Sequence, residues 1–203
     1  MLTVLTEGND EFFIQKYLTH LGYKYDIDFE TLSIGGWRKI PESKPKIMEL
    51  IDSGNKVIIV FDADGDYNNG GFDIRSSELD QILKDNMLNL DFFLMPNNKD
   101  DGDFEDLLER IATDDRTGIF QCFDDYEKCV ENLETNETKF KTPLKKSRIY
   151  AYIESFDESN NKKNKESEKK TFFYDDSKYW NLNSDELNKL KDFFLIYLPN
   201  QII

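Results

Sequence analysis

Three aspartates, Asp62, Asp64 and Asp66, stand at alternate positions directly after the apolar run Val57–Phe61. Carboxylates gathered at the end of a rigid strand repel one another unless a cation or a proton lies between them. In an extended chain Asp62 and Asp64 project to the same side, so one divalent ion can engage both. Oxygen donors without sulfur or imidazole suit Mg2+ or Mn2+ better than zinc. Such ions orient phosphate groups and lower the pKa of an attacking water. A turn also favours aspartates beside Gly65, Asn68 and Asn69, but three alternating acids exceed what a turn needs. A calcium loop of the EF-hand type requires glycine sixth and glutamate twelfth, where Tyr67 and Asp73 stand. That reading fails.

The elements that must position these acids follow from periodicity. Residues 2–6 form a short strand, and Asn9 can cap a helix from Asp10 to about Leu21, with Phe13, Tyr17 and Leu21 on one stripe. Residues 27–34 alternate like a strand, Gly35 and Gly36 turn the chain, and a helix runs from about Pro41 to Asp52. Val57–Phe61 is a buried strand, too short and too β-branched for a helix. A helix from Phe72 to about Asn86, a strand at 90–95 and a helix opening with GDFEDLLERIA complete the pattern. Strands alternating with helices indicate βαβ units and a parallel sheet. If the first and third strands are neighbours, Glu7 and Asp62 face each other across a switch-point crevice.

Beyond about residue 113 the pattern becomes helical, at Phe123–Leu133, Leu144–Phe156 and Asn183–Leu198, the last with a capping box of Asn183 and Glu186. Residues 157–171 contain no apolar side chain and read as a flexible polar loop. The expected organisation is an α/β core over residues 1–112 and a helical extension over 113–203 packed on it.

Two families share these motifs. FDADGD resembles the first motif of haloacid-dehalogenase-like phosphatases, which would make Asp62 the nucleophile and Asp64 the acid/base. Asp66 stands where that family has Thr or Val, and that motif belongs on a first strand, not a third. The second resemblance needs two places at once. VLTEGNDEFFIQKYL, residues 4–18, resembles the opening motif of Toprim domains, and VIIVFDADGD resembles their second, Asp-x-Asp motif. The chain also looks like small uncharacterised bacterial Toprim-like proteins, with their Gly-Asp-Leu-Glu-Asp-Leu-Leu element present as Gly102–Leu108 with phenylalanine third, and like OLD-family nucleases. The Toprim resemblance implies a Rossmann-like core of about four parallel strands flanked by helices, and Mg2+- or Mn2+-dependent cleavage of nucleic acid.

Carried over residue by residue, the resemblance makes Glu7 a metal ligand or general acid/base and Asp62 and Asp64 metal ligands, extended by Asp66. Asp10 or Glu11 matches the acid after Glu-Gly, and Glu105 and Asp106 fall where OLD-like nucleases hold a second ion. Asp103 is also a natural N-cap, and acids in a first helical turn complement the helix dipole, so capping alone accounts for the third cluster equally well. Asp106 can pair with Arg110 at i+4.

The formal charge of −15 argues against a passive nucleic-acid coat, whose affinity would need clustered lysine and arginine. Cationic help for a phosphate can come from Arg38 and Lys39 after Gly35-Gly36. The other source is the acid-free cluster Lys139, Lys141, Lys145, Lys146 and Arg148. OLD-like nucleases use a lysine in the site, which Lys145 or Lys146 would supply; a basic face balancing the acidic body is the alternative. No run is apolar enough for a membrane span. Cys122 and Cys129 read as free thiols of a cytoplasmic protein. The lone histidine, His20, reads as a surface residue at a helix end. Hydrolysis of DNA or RNA is the expected activity. A binding or regulatory module with a partner protein, or a haloacid-dehalogenase-like phosphatase, is the alternative.

Overall fold

The computed structural model describes residues 1–65, 69–113, 117–133, 140–155 and 173–198. Four strands, β1 (Leu2–Thr6), β2 (Phe29–Ser33), β3 (Lys56–Asp62) and β4 (Asp91–Met95), form one parallel sheet in the order β2-β1-β3-β4. Helices α1 (Asp10–His20), α2 (Ile40–Asp52), α3 (Phe72–Asp85) and α4 (Phe104–Ile111) alternate with them. The fold is a Rossmann-like α/β arrangement. The chain leaves β1 for one neighbour and returns on its other side, so the crossovers diverge between β1 and β3.

Side-chain alternation divides the core into two layers. Leu2, Val4, Ile58, Val60, Phe93 and Met95 join Phe13, Ile14 and Tyr17 of α1 on one face. Leu5, Val57, Ile59, Phe61 and Leu94 join Ile47 of α2 and Leu79 and Leu83 of α3 on the other. Asp62 continues the parity of Ile58 and Val60 and therefore points toward the α1 face.

Helices α5 (Gly118–Glu131), α6 (Lys146–Glu154) and α7 (Asn188–Leu195) follow. Tyr152, Tyr174, Trp180, Leu190 and Phe194 share one continuous core with Phe13 and Tyr17. Arg148 fastens α6 to α4 and α5 through Glu109 at 2.7 Å, Glu127 at 3.4 Å and Asp124. Cys122 and Cys129 are exposed free thiols on α5.

The closing helix differs from expectation. It begins at Asn188, after a 3-10 turn over Asp185–Leu187 that Ser184 caps by accepting from the Glu186 N–H at 3.3 Å. Glu186 cannot close a box with Asn183 because its carboxylate lies 3.7 Å from Arg110, and Asn183 instead meets His20 at 2.9 Å. A further 3-10 turn, Trp37–Lys39, precedes α2. Among the described residues no helix is long and apolar enough to cross a membrane. The polar stretch 157–171 lies outside the described residues.

Candidate active site

The sharp exit from β1 is built by Asp10. Its buried carboxylate accepts from the Gly8 N–H at 2.6 Å and the Glu7 N–H at 3.2 Å, folding the chain back into α1. Asn9 occupies the cap position but makes no side-chain capping bond. The turn leaves the Glu7 side chain at the carboxyl end of the sheet. Gly36, held at φ +96°, lies beside it, and a Cβ there would meet the Glu7 carboxylate at 3.5 Å, an ordinary contact distance.

Glu7, Gly8, Asn9, Asp10, Asp62, Phe104, Glu105, Lys146 and Tyr174 line one cavity of about 200 Å³. Four carboxylates from β1, α1, β3 and α4 thus share a wall with one lysine. Their protonation reports the crowding. Burial first, then the charges of Asp10 and Asp64, push Glu7 up to about 7, with Arg75 and the Asp62 N–H pulling the other way. Asp62 is raised well above the ordinary carboxylate range by burial and by Glu7, Asp10, Asp103 and Glu105. Glu105 is raised by burial and by Asp103, against the pull of Lys146 and Lys145. Asp10 is raised by burial, against the N–H groups it accepts from. Such shifts mark groups for which a bound proton or cation relieves repulsion.

The chemistry of the donors suits a hard cation. All four carboxylates offer oxygen only. The Glu7 Oε1 atom is buried without a hydrogen-bond partner among the described residues. Among those residues no three His, Cys, Asp or Glu side chains are drawn close enough together to hold an ion as they stand.

Asp64 departs from the expected geometry. The strand ends at Asp62, and Asp64 adopts φ +58°, so its side chain does not follow that of Asp62. It is instead ion-paired at 2.6 Å to Arg75 of α3, from the opposite layer. The backbone of Asp64 also accepts from the Gly102 N–H at 2.8 Å, tying this loop to the one after β4. Gly70 is required beneath it: a Cβ there would come within 2.4 Å of the Asp64 Cβ and 3.0 Å of the Ala63 carbonyl. Asp66 lies outside the described residues.

The third acidic cluster divides its roles. Asp103 caps α4 by accepting from the Asp106 N–H at 3.1 Å, and Asp106 returns the bond by accepting from the Asp103 N–H at 2.9 Å. Asp106 pairs with Lys145 at 2.5 Å and not with Arg110, which turns to Asp100 at 3.3 Å. Of the acids in this cluster, Glu105 alone lines the cavity.

The cations separate likewise. Burial opposes the charge of Lys145, but Asp106 and Asp103 outweigh it and raise its pKa. Lys145 is therefore committed to the α4 cap, while Lys146 lines the cavity. Arg38 lies 4.8 Å over the Trp37 ring, and Lys39 pairs with Glu42 at 3.0 Å; both stand outside the cavity wall. Glu11, raised by burial and by Asp10, faces the Ser33 N–H, so Asp10 is the acid that the cavity receives. Lys139 lies outside the described residues.

Two residues of this region escape sequence reasoning. Arg75 is 2% exposed, contacts Asp64 and Glu78, and lies 4.6 Å from the Trp37 ring centroid. Its signal was positional: Arg75, Leu79 and Leu83 fall at i, i+4 and i+8 on the buried stripe of α3. Tyr174 reaches the cavity from the segment before Trp180, where no periodicity marks it.

No curated protein and no solved structure matches the chain. The family described as a protein of unknown function, DUF3226, matches residues 2–197. With nearly its whole length spanned and the acidic cavity inside that span, the chain belongs to the DUF3226 family.

Proposed function

We propose that this protein is a Mg2+- or Mn2+-dependent hydrolase of nucleic-acid phosphodiesters, acting in the manner of Toprim and OLD-like nucleases. The observation that carries this reading is the convergence of Glu7 from β1 and Asp62 from β3 on one cavity at the sheet's switch point, with Asp10, Glu105 and Lys146. Ligands of open α/β sheets bind at such points.

Asp62, Glu7, Asp10 and Glu105 would hold the cation, which when bound polarises phosphate oxygens and acidifies water. Glu7, with a pKa near neutrality in the metal-free protein, is suited to hold and release a proton. Lys146 offers an ammonium to the phosphate. Hydrolysis joins the water oxygen to phosphorus, breaks one P–O ester bond and leaves a proton on the departing hydroxyl.

The test is cleavage of DNA and RNA, single- and double-stranded, with Mg2+ or Mn2+ and with chelator. Asp62→Asn and Glu7→Gln are expected to lose at least about 100-fold in rate, and Asp62→Asn to lose cation binding. Metal-independent cleavage, or full activity in Asp62→Asn, overturns the reading.

A second reading, a non-catalytic binding or regulatory module that meets a partner protein, is favoured by the Arg75–Asp64 pair and the charge of −15. Its mark is cation binding without turnover on any of these substrates. The phosphatase alternative has less support, because Asp64, ion-paired to Arg75, is poorly placed to shuttle protons for an Asp62 nucleophile.

A further inference from the structure

Outside the carboxylates, the cavity wall presents three side chains able to donate hydrogen bonds: Asn9, Lys146 and Tyr174. Tyr174 is fully buried, and its ring is fixed edge-on by Phe13 at 5.5 Å and Phe104 at 5.7 Å. Tyr174 lines the same cavity as Glu105 and Asp10, so this aromatic side chain borders the acidic wall as well as the core. A tyrosine used only to fill the core has no need of a seat beside two carboxylates, where phenylalanine would avoid the desolvation of a hydroxyl.

We infer that Tyr174 is a substrate-contacting residue, donating from its hydroxyl to a non-bridging oxygen of the phosphate that Lys146 also meets. This deepens the hydrolase reading and rests on it. The dimensions restrict what enters: about 200 Å³ is below the roughly 300–1,000 Å³ of sites that enclose drug-sized ligands. The cavity takes a phosphate and its cations, and leaves base and sugar outside. Recognition through phosphate oxygens carries no base information, so the substrate class is a nucleic-acid backbone read without regard to sequence.

The experiment compares wild type with Tyr174→Phe, which removes one oxygen and keeps the ring contacts with Phe13 and Phe104. Cleavage of labelled homopolymers of each base is measured with Mn2+, and anisotropy of the same oligonucleotides is measured with Ca2+ as a probe of binding. The expected result is a 10- to 100-fold loss in kcat/KM for Tyr174→Phe, with Tm and Mn2+ affinity unchanged and similar rates on all homopolymers. Equal rates for the two proteins overturn the assignment, and a strong preference for one base overturns the backbone-only reading. Should wild type cleave nothing, the failure belongs to the hydrolase reading and the anisotropy decides for Tyr174. At least fivefold weaker binding by Tyr174→Phe then supports the contact; equal or absent binding overturns it.

Discussion

Arg75 reaches from α3 to the Asp64 carboxylate at 2.6 Å with only 3% of its side chain exposed. An aspartate expected to act beside Asp62 is thereby committed to a buried cation, and its φ of +58° turns it from the strand's path. The arrangement gives Asp64 a structural duty, closing the β3–α3 loop over Gly70. Arg75→Met removes the cation that Asp64 and Glu78 share. Breaking a buried pair from one side is costly, and a loss of about 3 kcal/mol is expected in chemical denaturation because Asp64 keeps some contact with water.

The acidic wall destabilises the metal-free protein as pH rises. Glu7 has its pKa raised from 4.5 to about 7 in the folded chain. Below about pH 4.5 the group is protonated in both states and contributes nothing. Between about 4.5 and 7 the unfolded chain releases the proton first, so folding stability falls, and above 7 the loss is constant. Glu7→Gln should stabilise the metal-free protein at pH 8 by an amount on the order of 2–3 kcal/mol and flatten this slope. Denaturation midpoints at pH 5, 6, 7 and 8 check it.

If a divalent cation occupies the wall, its effect on stability must run with the opposite sign of pH. Mg2+ or Mn2+ should raise Tm strongly at pH 8 and little at pH 5, since protons and cation compete for the same oxygens. A Tm increment that is equal at both values would show that the ion binds elsewhere.

Glu105 and Asp106 are neighbours with separate expected roles. Glu105→Gln should weaken cation binding and, because burial raises the Glu105 pKa, somewhat stabilise the metal-free protein at pH 8. Asp106→Ala opens the reciprocal cap and leaves Lys145 with Asp103 alone, so a loss of about 1–2 kcal/mol is expected, with cation affinity intact. Calorimetric titration and thermal unfolding of both variants separate the two roles.

Gly70→Ala tests the close passage of two chain segments. Its Cβ would meet the Asp64 Cβ at 2.4 Å and backbone at 3.0 Å, and overpacking of this kind costs about 1–3 kcal/mol. A neutral result in denaturation would mean that the loop has room to give.

Much of this was legible from spacing alone. The run Val57–Phe61 reads as a strand because five apolar residues, four of them β-branched, have no place on a short surface helix. The alternation of elements then brings Glu7 and Asp62 to the same carboxyl end of the sheet. What periodicity cannot carry is the direction of a side chain once a strand has ended. Extending the strand's period of two as far as Asp64 misses its direction, because Asp64 itself adopts the left-handed region. Asp106 and Glu105 look alike in sequence, and only the reciprocal cap at Asp103 tells them apart. Tyr174 depends on a contact between distant segments, Phe13 and Phe104 among them, which no local pattern encodes.

The core that Phe13 and Tyr17 share with Trp180, Leu190 and Phe194 has a practical corollary. A fragment cut after residue 112 would present the bare flank of α1 to solvent and lose Lys146 and Tyr174 together. Expression of the amino-terminal portion by itself should yield insoluble material, and protease nicking between α6 and α7 should abolish whatever the intact molecule does before the sheet itself is touched.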